Sequence, residues 1–218
     1  MKTIAVIGIS GFGMHLCKFL SKQGVQVLAM DINEERVDLV KPYVHRAVIC
    51  DATRRMSLVD HELELFDGVV VSLGERIDTS VLVTLYLKQL GVKMIVAKAT
   101  SPDHEEILMN IGATRVVSPE KEMARTLAHQ LGSRNLLQYV QLDAEYSVIE
   151  LPPPAAWLGK SMGEIQVRRN WSVQVLLIHH HTDPGKTIIP DGDHRFTTDD
   201  RLVVIGREPA LNRLKAAT

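Results

Sequence analysis

The first half of the chain repeats one pattern: a short apolar run rich in β-branched residues, then a small or acidic residue, then a helical segment. The apolarity of these runs is continuous rather than alternating, which is typical of parallel strands covered by helices on both faces. The runs are Thr3–Ile7, Gln26–Met30, Ala47–Cys50, Gly68–Val71, Lys93–Ala97 and Arg115–Val117. These strand–helix repeats predict an α/β domain built on a Rossmann-like, doubly wound parallel sheet.

Helical periodicity fills the segments between the runs. In the first segment Phe12, Leu16, Phe19 and Leu20 fall on one face, and Gly24 follows as a helix-ending residue. The predicted helices span residues 12–23, 34–41, 77–90, 103–111 and 119–134. A polar stretch beginning at Gly132 then breaks the pattern, so we predict a first domain over residues 1–134.

The remaining residues have a different texture. Pro152–Pro154 make a stiff extended break, and turn residues follow at 190–193. Residues 135–218 are therefore predicted to form a small α+β domain. Its predicted elements are a strand within 137–150, a short helix within 158–167, strands at 173–178, 186–189 and 201–205, and a closing helix at 208–216.

Composition excludes several classes of protein. The net charge is −1 and aromatic residues make up 5%, which argues against a nucleic-acid-binding surface. No apolar run is long enough for a transmembrane helix, and the start of the sequence does not resemble a signal peptide. Cys17 and Cys50 form no disulfide framework, so we expect a reducing cytoplasm.

The strongest chemical signal is the glycine-rich turn after the first strand. Gly8 and Gly13 occupy the first and third places of a dinucleotide fingerprint, and Ser10 occupies the second. Gly11 keeps the loop open, and Phe12 begins the helix whose N–H groups would face an anion. The turn therefore predicts nucleotide binding, with a turn used only for packing as the alternative.

Residues at the other strand ends extend this candidate site, because ligands bind outside the carboxyl ends of parallel strands. Asp31 ends the second strand, where a carboxylate can accept hydrogen bonds from ribose hydroxyls. Thr53 and Thr100 are as well explained as helix caps. The further candidates are Ile32, Asp51, Ala52, Thr53, Ser72, Leu73, Gly74, Glu75, Lys98 and Ala99.

No catalytic constellation accompanies this turn. His179–His181 suggest a metal site, but neighbouring side chains on a strand alternate in direction, so a strand end is the better interpretation. We find no nucleophile–base pair. Cys17 is expected to be a small core residue. The sequence therefore favours a binding protein, and a small NAD(P)-dependent oxidoreductase is the alternative.

Several stretches together resemble the RCK (regulator of K⁺ conductance, or KTN) family, and especially the soluble regulatory subunits of Trk/Ktr potassium uptake systems. In the first domain these are residues 4–13, Asp31, residues 51–53, 82–91, 95–99 and 113–124. In the second they are residues 158–161, 165–168 and 199–206. Together these stretches cover nearly the whole chain, and they follow one another in the order and spacing typical of the family.

The resemblance implies a function as well as a fold. The first domain would bind an adenine nucleotide (ADP/ATP or NAD(H)), and Glu120 would help to hold a divalent cation such as Mg²⁺. Dimers would assemble into an octameric ring on the cytoplasmic face of a membrane-embedded potassium channel subunit. Nucleotide exchange would then gate ion flux, and cyclic di-AMP would bind between two C-terminal domains. A module of a different cation transporter is a further alternative.

Three positions depart from the family pattern. Relatives often carry Gly at position 10 and an Arg at position 11 that contacts the terminal phosphates, whereas this chain has Ser10 and Gly11. The missing guanidinium leaves ADP, AMP and NAD as alternatives to ATP. Gln174 stands near a position where cyclic di-AMP binders prefer Asn.

Overall fold

The computed structural model describes residues 1–74, 76–132, 138–143, 145–183 and 186–218. The chain divides into two compact units, Met1–Glu120 and Lys121–Thr218. The domain boundary predicted after residue 134 lies outside the described residues.

The first unit is built on a parallel six-stranded sheet, as predicted. Its strand order is β3-β2-β1-β4-β5-β6, so the direction of strand addition reverses between β1 and β4. This order is that of a doubly wound Rossmann sheet. The strands are β1 (Thr3–Ile7), β2 (Gln26–Asp31), β3 (Arg46–Ile49), β4 (Gly68–Val71), β5 (Ile95–Lys98) and β6 (Arg115–Val117).

Helices connect these strands, a further helix follows the last strand, and one of the connecting helices was not predicted. A five-residue helix follows β3, where the sequence offers only one apolar turn, too short for helical periodicity to detect. The helices are α1 (Gly11–Lys22), α2 (Glu34–Val40), α3 (Arg55–Val59), α4 (Ile77–Gln89), α5 (Pro102–Ile111) and α6 (Pro119–Gly132). Short 3₁₀ turns lie at Lys41–Tyr43 and Leu63–Leu65.

Both faces of the sheet are buried, which explains the continuous apolar runs. Ala5 and Ile7 of β1 enter one core cluster, whereas Ile4 and Val6 enter another on the opposite face. Phe19, which shares the predicted apolar face of α1, is 58% exposed.

Small residues bring α1 close to the sheet instead. Gly13 and Cys17 are its buried positions, four residues apart on one face. The predicted role of Cys17 as a core residue is confirmed. Burial raises the pKa of its thiol to about 12, so the group stays neutral.

The second unit contains an antiparallel five-stranded sheet in the order β10-β9-β11-β8-β7. The strand predicted within residues 137–150 is in fact a hairpin of β7 and β8. The hydrophobic core of the second unit includes Trp157 and Phe196, whose ring centroids are 5.2 Å apart. The elements are β7 (Gln138–Gln141), β8 (Tyr146–Leu151), α7 (Met162–Ile165), α8 (Val167–Trp171), β9 (Val173–His180), β10 (Thr187–Ile188), β11 (Asp200–Arg207) and α9 (Glu208–Ala217).

Within the described ranges, no helix combines the length and apolarity required to cross a membrane.

Candidate functional site

A cleft of about 340 Å³ lies at the carboxyl ends of β1 to β4, where the strand order reverses. We call it the strand-end cleft. In open α/β sheets this reversal is where ligands bind. Its lining residues are Ile7, Gly8, Ser10, Met30, Asp31, Ile32, Arg36, Cys50, Asp51, Ala52, Thr53, Ser72, Leu73, Gly74, Arg76 and Thr79.

The glycine-rich turn forms one wall of the cleft because two of its glycines are required by close packing. Gly8 has φ +94°, a conformation that L side chains rarely adopt, and a Cβ there would overlap the carbonyl of Ser72. A Cβ on Gly13 would overlap the carbonyl oxygen of Gly8. The turn is thus pressed against both β4 and its own helix.

The beginning of α1 is left uncapped. Ser10 is the N-cap residue, but its side chain accepts no hydrogen bond from the first turn. Its hydroxyl instead donates to the carbonyl oxygen of Ser72 at 3.4 Å. The Ser72 hydroxyl is fully buried and has no hydrogen-bond partner among the residues that the structure describes. An uncapped helix N-terminus and an unpartnered hydroxyl together suit an anion.

Asp31 connects β2 to the glycine-rich turn. Its Oδ2 accepts a hydrogen bond from the backbone N–H of Ile9 at 2.6 Å, and its Oδ1 accepts one from Asn33 at 2.9 Å. The Arg36 guanidinium lies 3.7 Å from Oδ2. The carboxylate is 7% exposed and retains further lone pairs for a ligand.

Asp51 organises the opposite wall of the cleft. It accepts hydrogen bonds from the Thr53 hydroxyl at 2.6 Å and the Thr53 N–H at 3.0 Å, and Arg54 lies 3.4 Å away. These hydrogen bonds hold the pKa of Asp51 below its usual range. The suggested capping roles of Thr53 and Thr100 are wrong: the N-cap residues of α3 and α5 are Arg54 and Ser101.

Lys98 and Glu120 form an ion pair at the ends of β5 and β6. The Lys98 side chain is 10% exposed and that of Glu120 is 68% exposed. The hydrogen bond from Lys98 lowers the pKa of Glu120. The carboxylate expected to bind a cation is therefore engaged by an ammonium group.

The strand-end cleft brings together Gly8, Ser10, Asp31, Ile32, Asp51, Ala52, Thr53, Ser72, Leu73 and Gly74 of the sequence candidates. Gly11, Phe12 and Gly13 lie behind it in the first turn of α1. Lys98, Ala99 and Glu120 do not line it, and Glu75 lies outside the described residues.

Sequence reasoning missed the two guanidinium groups of this cleft. Arg36 lies in the first turns of α2, and Arg76 immediately precedes α4. Their positions just beyond the ends of β2 and β4 were the available signal, because such positions face a strand-end site. The cleft thus contains two carboxylates and two cations.

A second cleft, of about 330 Å³, lies in the C-terminal unit. We call it the C-terminal cleft. It is lined on one side by Gln166, Arg168 and Arg169, which are exposed, and on the other by the beginning of β9. Gln174 of β9 donates its side-chain N–H to the carbonyl of Val175 at 3.1 Å.

The histidine run ends β9, as predicted. His179 contacts the Thr187 hydroxyl at 2.8 Å, while His180 Nδ1 lies 3.5 Å from Asp199 and 3.6 Å from Asp200. Across the residues with described placement, no group of His, Cys, Asp and Glu side chains is arranged to hold a metal ion.

Comparisons with known proteins agree with this architecture. Residues 4–119 match the TrkA-N domain family and residues 146–218 match the TrkA-C domain family. The Ktr system potassium uptake protein C of Bacillus subtilis (strain 168) is 37% identical over 216 residues, covering 98% of this chain and 96% of that protein.

Two further proteins extend the comparison. The Ktr system potassium uptake protein A of the same strain is also 37% identical, over 214 residues, with 98% and 96% of the two chains covered. The solved structure of the GsuK channel bound to NAD has a TM-score of 0.67 at 19% identity, covering 99% of this chain and 39% of that one. That likeness concerns the fold.

Proposed function

Because this chain belongs to the TrkA-N domain family and also carries a TrkA-C domain, we propose that it is a nucleotide-sensing regulatory subunit of a potassium transport system. Its membrane-embedded partner would be a potassium channel or transporter subunit. Two relatives of nearly equal length are potassium uptake proteins by name, which supports the transport role. The chain would then act in the cytoplasm, peripheral to the inner face of the membrane.

The observation that carries the sensing role is the strand-end cleft between Gly8 and Asp31. The uncapped N-terminus of α1 and the unpartnered Ser72 hydroxyl fit phosphate oxygens, and Asp31 has lone pairs left for a ribose. Its volume of about 340 Å³ is at the small end of ligand pockets, and it suits an adenine nucleotide. ADP, ATP and NAD(H) all carry these groups.

The other cleft residues have distinct roles in this proposal. Ile32 is 63% exposed and lines the cleft with the largely buried Ala52, so these two side chains would offer apolar surface to an adenine ring. Asp51 and Thr53 offer polar atoms at its rim. Lys98 and Ala99, at the end of β5, do not line the cleft and would contact phosphates that extend beyond it.

We propose a non-catalytic role for the bound nucleotide. No His, Lys or Tyr is among the cleft-lining residues that the structure describes, which leaves no ordinary general base beside Asp31 and Asp51. Nucleotides would instead act by binding two conformations of the assembly with different affinities. A nicotinamide-dependent oxidoreductase would need an acid or base for the substrate, and the described lining offers no His, Lys or Tyr for that role.

A divalent cation such as Mg²⁺ would be held by Glu120 together with phosphate oxygens of the ligand. Since Lys98 engages Glu120 here, cation binding requires that this ion pair opens. When bound, the cation would neutralise phosphate charge.

Assembly into a homo-oligomer, an octameric ring in this proposal, is supported by an exposed apolar stripe on α6. Met123, Leu127 and Leu131 recur every four residues and are 66%, 47% and 78% exposed. Leu127→Glu should reduce the mass measured by light scattering. Leu65→Glu is the matched control, because Leu65 is also exposed but lies on a separate 3₁₀ turn.

Cyclic di-AMP would bind the C-terminal cleft, between two copies. Arg168 and Arg169 supply cations for its phosphates. Thermal stabilisation by cyclic di-AMP that Arg169→Gln removes would support this part, and unchanged melting of the parent protein would exclude it.

The nucleotide role is tested by placing a negative charge where phosphates would lie. Ser10→Asp should abolish the thermal stabilisation by ADP, ATP or NAD, whereas the isosteric Ser10→Asn should keep most of it. Both Asp and Asn are good N-cap residues, so neither should weaken α1. In the parent protein, ligand at about 100 times its Kd should add about 2.7 kcal/mol of stability.

The outcomes separate the alternatives. A parent protein that no adenine nucleotide stabilises would overturn the sensing role. Turnover of NADH with a simple carbonyl compound would establish the oxidoreductase instead.

A further inference from the structure

Another cleft, distinct from the strand-end cleft and the C-terminal cleft, lies in the first unit. It is larger than the strand-end cleft and is lined by basic and aromatic side chains. It has a volume of about 780 Å³ and lies between the later turns of α1, the start of β2 and residues 42–45 before β3. We call it the basic cleft. It opens at the amino-terminal edge of the sheet, opposite the strand-end cleft.

The charge of the basic cleft is of one sign. His15, Lys18, Lys22 and His45 line it, and among the described residues no Asp or Glu does. Neither Lys18 nor Lys22 forms an ion pair with any residue whose position is described. Nearby Lys41, by contrast, pairs with Asp38 at 2.7 Å. Two lysines thus remain available to an external anion.

Aromatic rings lie among these basic side chains. Phe19 is 58% exposed and Tyr43 is 46% exposed, although both are large apolar side chains. The Lys18 ammonium lies 4.2 Å from the centroid of the Tyr43 ring, and that of Lys22 lies 6.0 Å from the centroid of Phe19. The rings orient the cations and leave apolar surface uncovered.

We propose that the basic cleft binds an acidic segment of a protein partner, one that carries apolar side chains between its carboxylates. Lys18 and Lys22 stand four residues apart on α1, so their ammonium groups are neighbours on one face and match two nearby carboxylates. The exposed rings accept the apolar side chains. The concave shape between α1 and Tyr43 fits a peptide better than a flat membrane surface.

Helix α1 also connects this cleft to the other one. Its first residues follow the glycine-rich turn, and its last turn carries Lys22 at the basic cleft. The helix has 12 residues, which corresponds to about 18 Å. Partner and nucleotide would therefore occupy opposite ends of one rigid element without competing.

The test uses the full chain and a fluorescent synthetic peptide of sequence EEFEEFEE. The peptide should bind, and the double substitution Lys18→Glu and Lys22→Glu should weaken binding by about tenfold or more at physiological ionic strength. Lys93→Glu with Lys160→Glu is the matched control, because both residues are exposed and line neither cleft. That variant should bind like the parent.

The rings are tested separately with the peptide EEAEEAEE. It should bind less tightly than EEFEEFEE, and the difference should shrink in Phe19→Ala. Nucleotide-induced thermal stabilisation, measured in every variant, shows that the fold persists and reports on the proposed nucleotide role independently.

Three results would overturn the proposal. The first is the absence of peptide binding, and the second is equal binding by the Lys18/Lys22 and Lys93/Lys160 double variants. The third is binding to phosphatidylserine vesicles through Lys18 and Lys22 without binding to the peptide, which would make the cleft a membrane contact.

Discussion

The N–H of Ile9 donates a hydrogen bond of 2.6 Å to Oδ2 of Asp31, and this contact attaches the glycine-rich turn to the end of β2. A carboxylate expected to serve a ribose therefore also holds the protein together. The same side chain accepts the N–H of Asn33, so it positions the chain entering α2 as well. Substitution of Asp31 should therefore lower the stability of the fold even in the absence of a ligand.

We expect Asp31→Ala to lower the free energy of unfolding by about 1–3 kcal/mol without nucleotide, because a buried N–H loses a charged acceptor. Urea denaturation measures this change. Asp31→Asn keeps one acceptor oxygen, so its free energy of unfolding should lie between those of the parent and of Asp31→Ala. If Asp31→Ala is as stable as the parent but binds nucleotide weakly, the residue serves the ligand alone.

Glycines of the same turn should respond in opposite ways to an added methyl group. Gly13→Ala places a Cβ onto the carbonyl of Gly8 and should cost about 1–3 kcal/mol. Gly11→Ala meets nothing within 4 Å and should stabilise α1 by about 0.5–1 kcal/mol. Thermal and urea unfolding of the pair provide the measurement, and equal effects would contradict the packing described here.

Sequence patterns predicted the sheet and the position of the cleft because both depend on local signals. Apolar runs such as Thr3–Ile7 and the spacing of Gly8 and Gly13 can be recognised in the sequence without knowledge of tertiary contacts. The exposure of Phe19 could not be predicted from the sequence. It arises because α1 packs on the sheet through its small residues Gly13 and Cys17. Arg76 was missed for a related reason: its role depends on which strands become neighbours.

A buried histidine should make the first unit sensitive to acid. His104 is 1% exposed, with Nε2 2.7 Å from the Ser80 hydroxyl and Nδ1 accepting the N–H of Thr100 at 3.3 Å. Burial lowers its pKa below the ordinary 6.5. The neutral ring is therefore preferred in the folded state, and stability is complete above about pH 6.5 and lost as the pH falls through the lowered pKa.

The measurement is urea unfolding between pH 7.5 and 5. His104→Gln should be less stable than the parent at pH 7.5 and should lose less stability on acidification. His61, whose pKa is also lowered by burial, contributes a similar slope, so its Gln variant is a positive comparison. An unchanged slope in His104→Gln would contradict the assignment.

The Lys98–Glu120 ion pair should also lose its contribution to stability on acidification, but in a lower range of pH than His104. The hydrogen bond from Lys98 lowers the pKa of Glu120 from 4.5, so the contribution is present above that value and disappears as the pH falls through the lowered pKa. Glu120 is largely exposed, which limits the effect of Glu120→Gln to about 0.2–1 kcal/mol at pH 7. Glu122→Gln on the same helix is the control. A difference that persists at a pH where Glu120 is fully protonated would exclude this electrostatic origin.

The final prediction concerns the guanidinium that this chain lacks at position 11. Gly11 is the exposed first residue of α1, and a Cβ added there would meet no atom within 4 Å, so a side chain can extend from it without displacing the turn. The family resemblance implies that an Arg at this position contacts the terminal phosphates. Gly11→Arg should therefore favour ATP over ADP by about 1–3 kcal/mol, as expected for a charge-assisted hydrogen bond. Calorimetric titration of both nucleotides measures the ratio, with Gly11→Gln as the neutral control. Equal tightening of ATP and ADP would show that the terminal phosphate does not reach the start of α1.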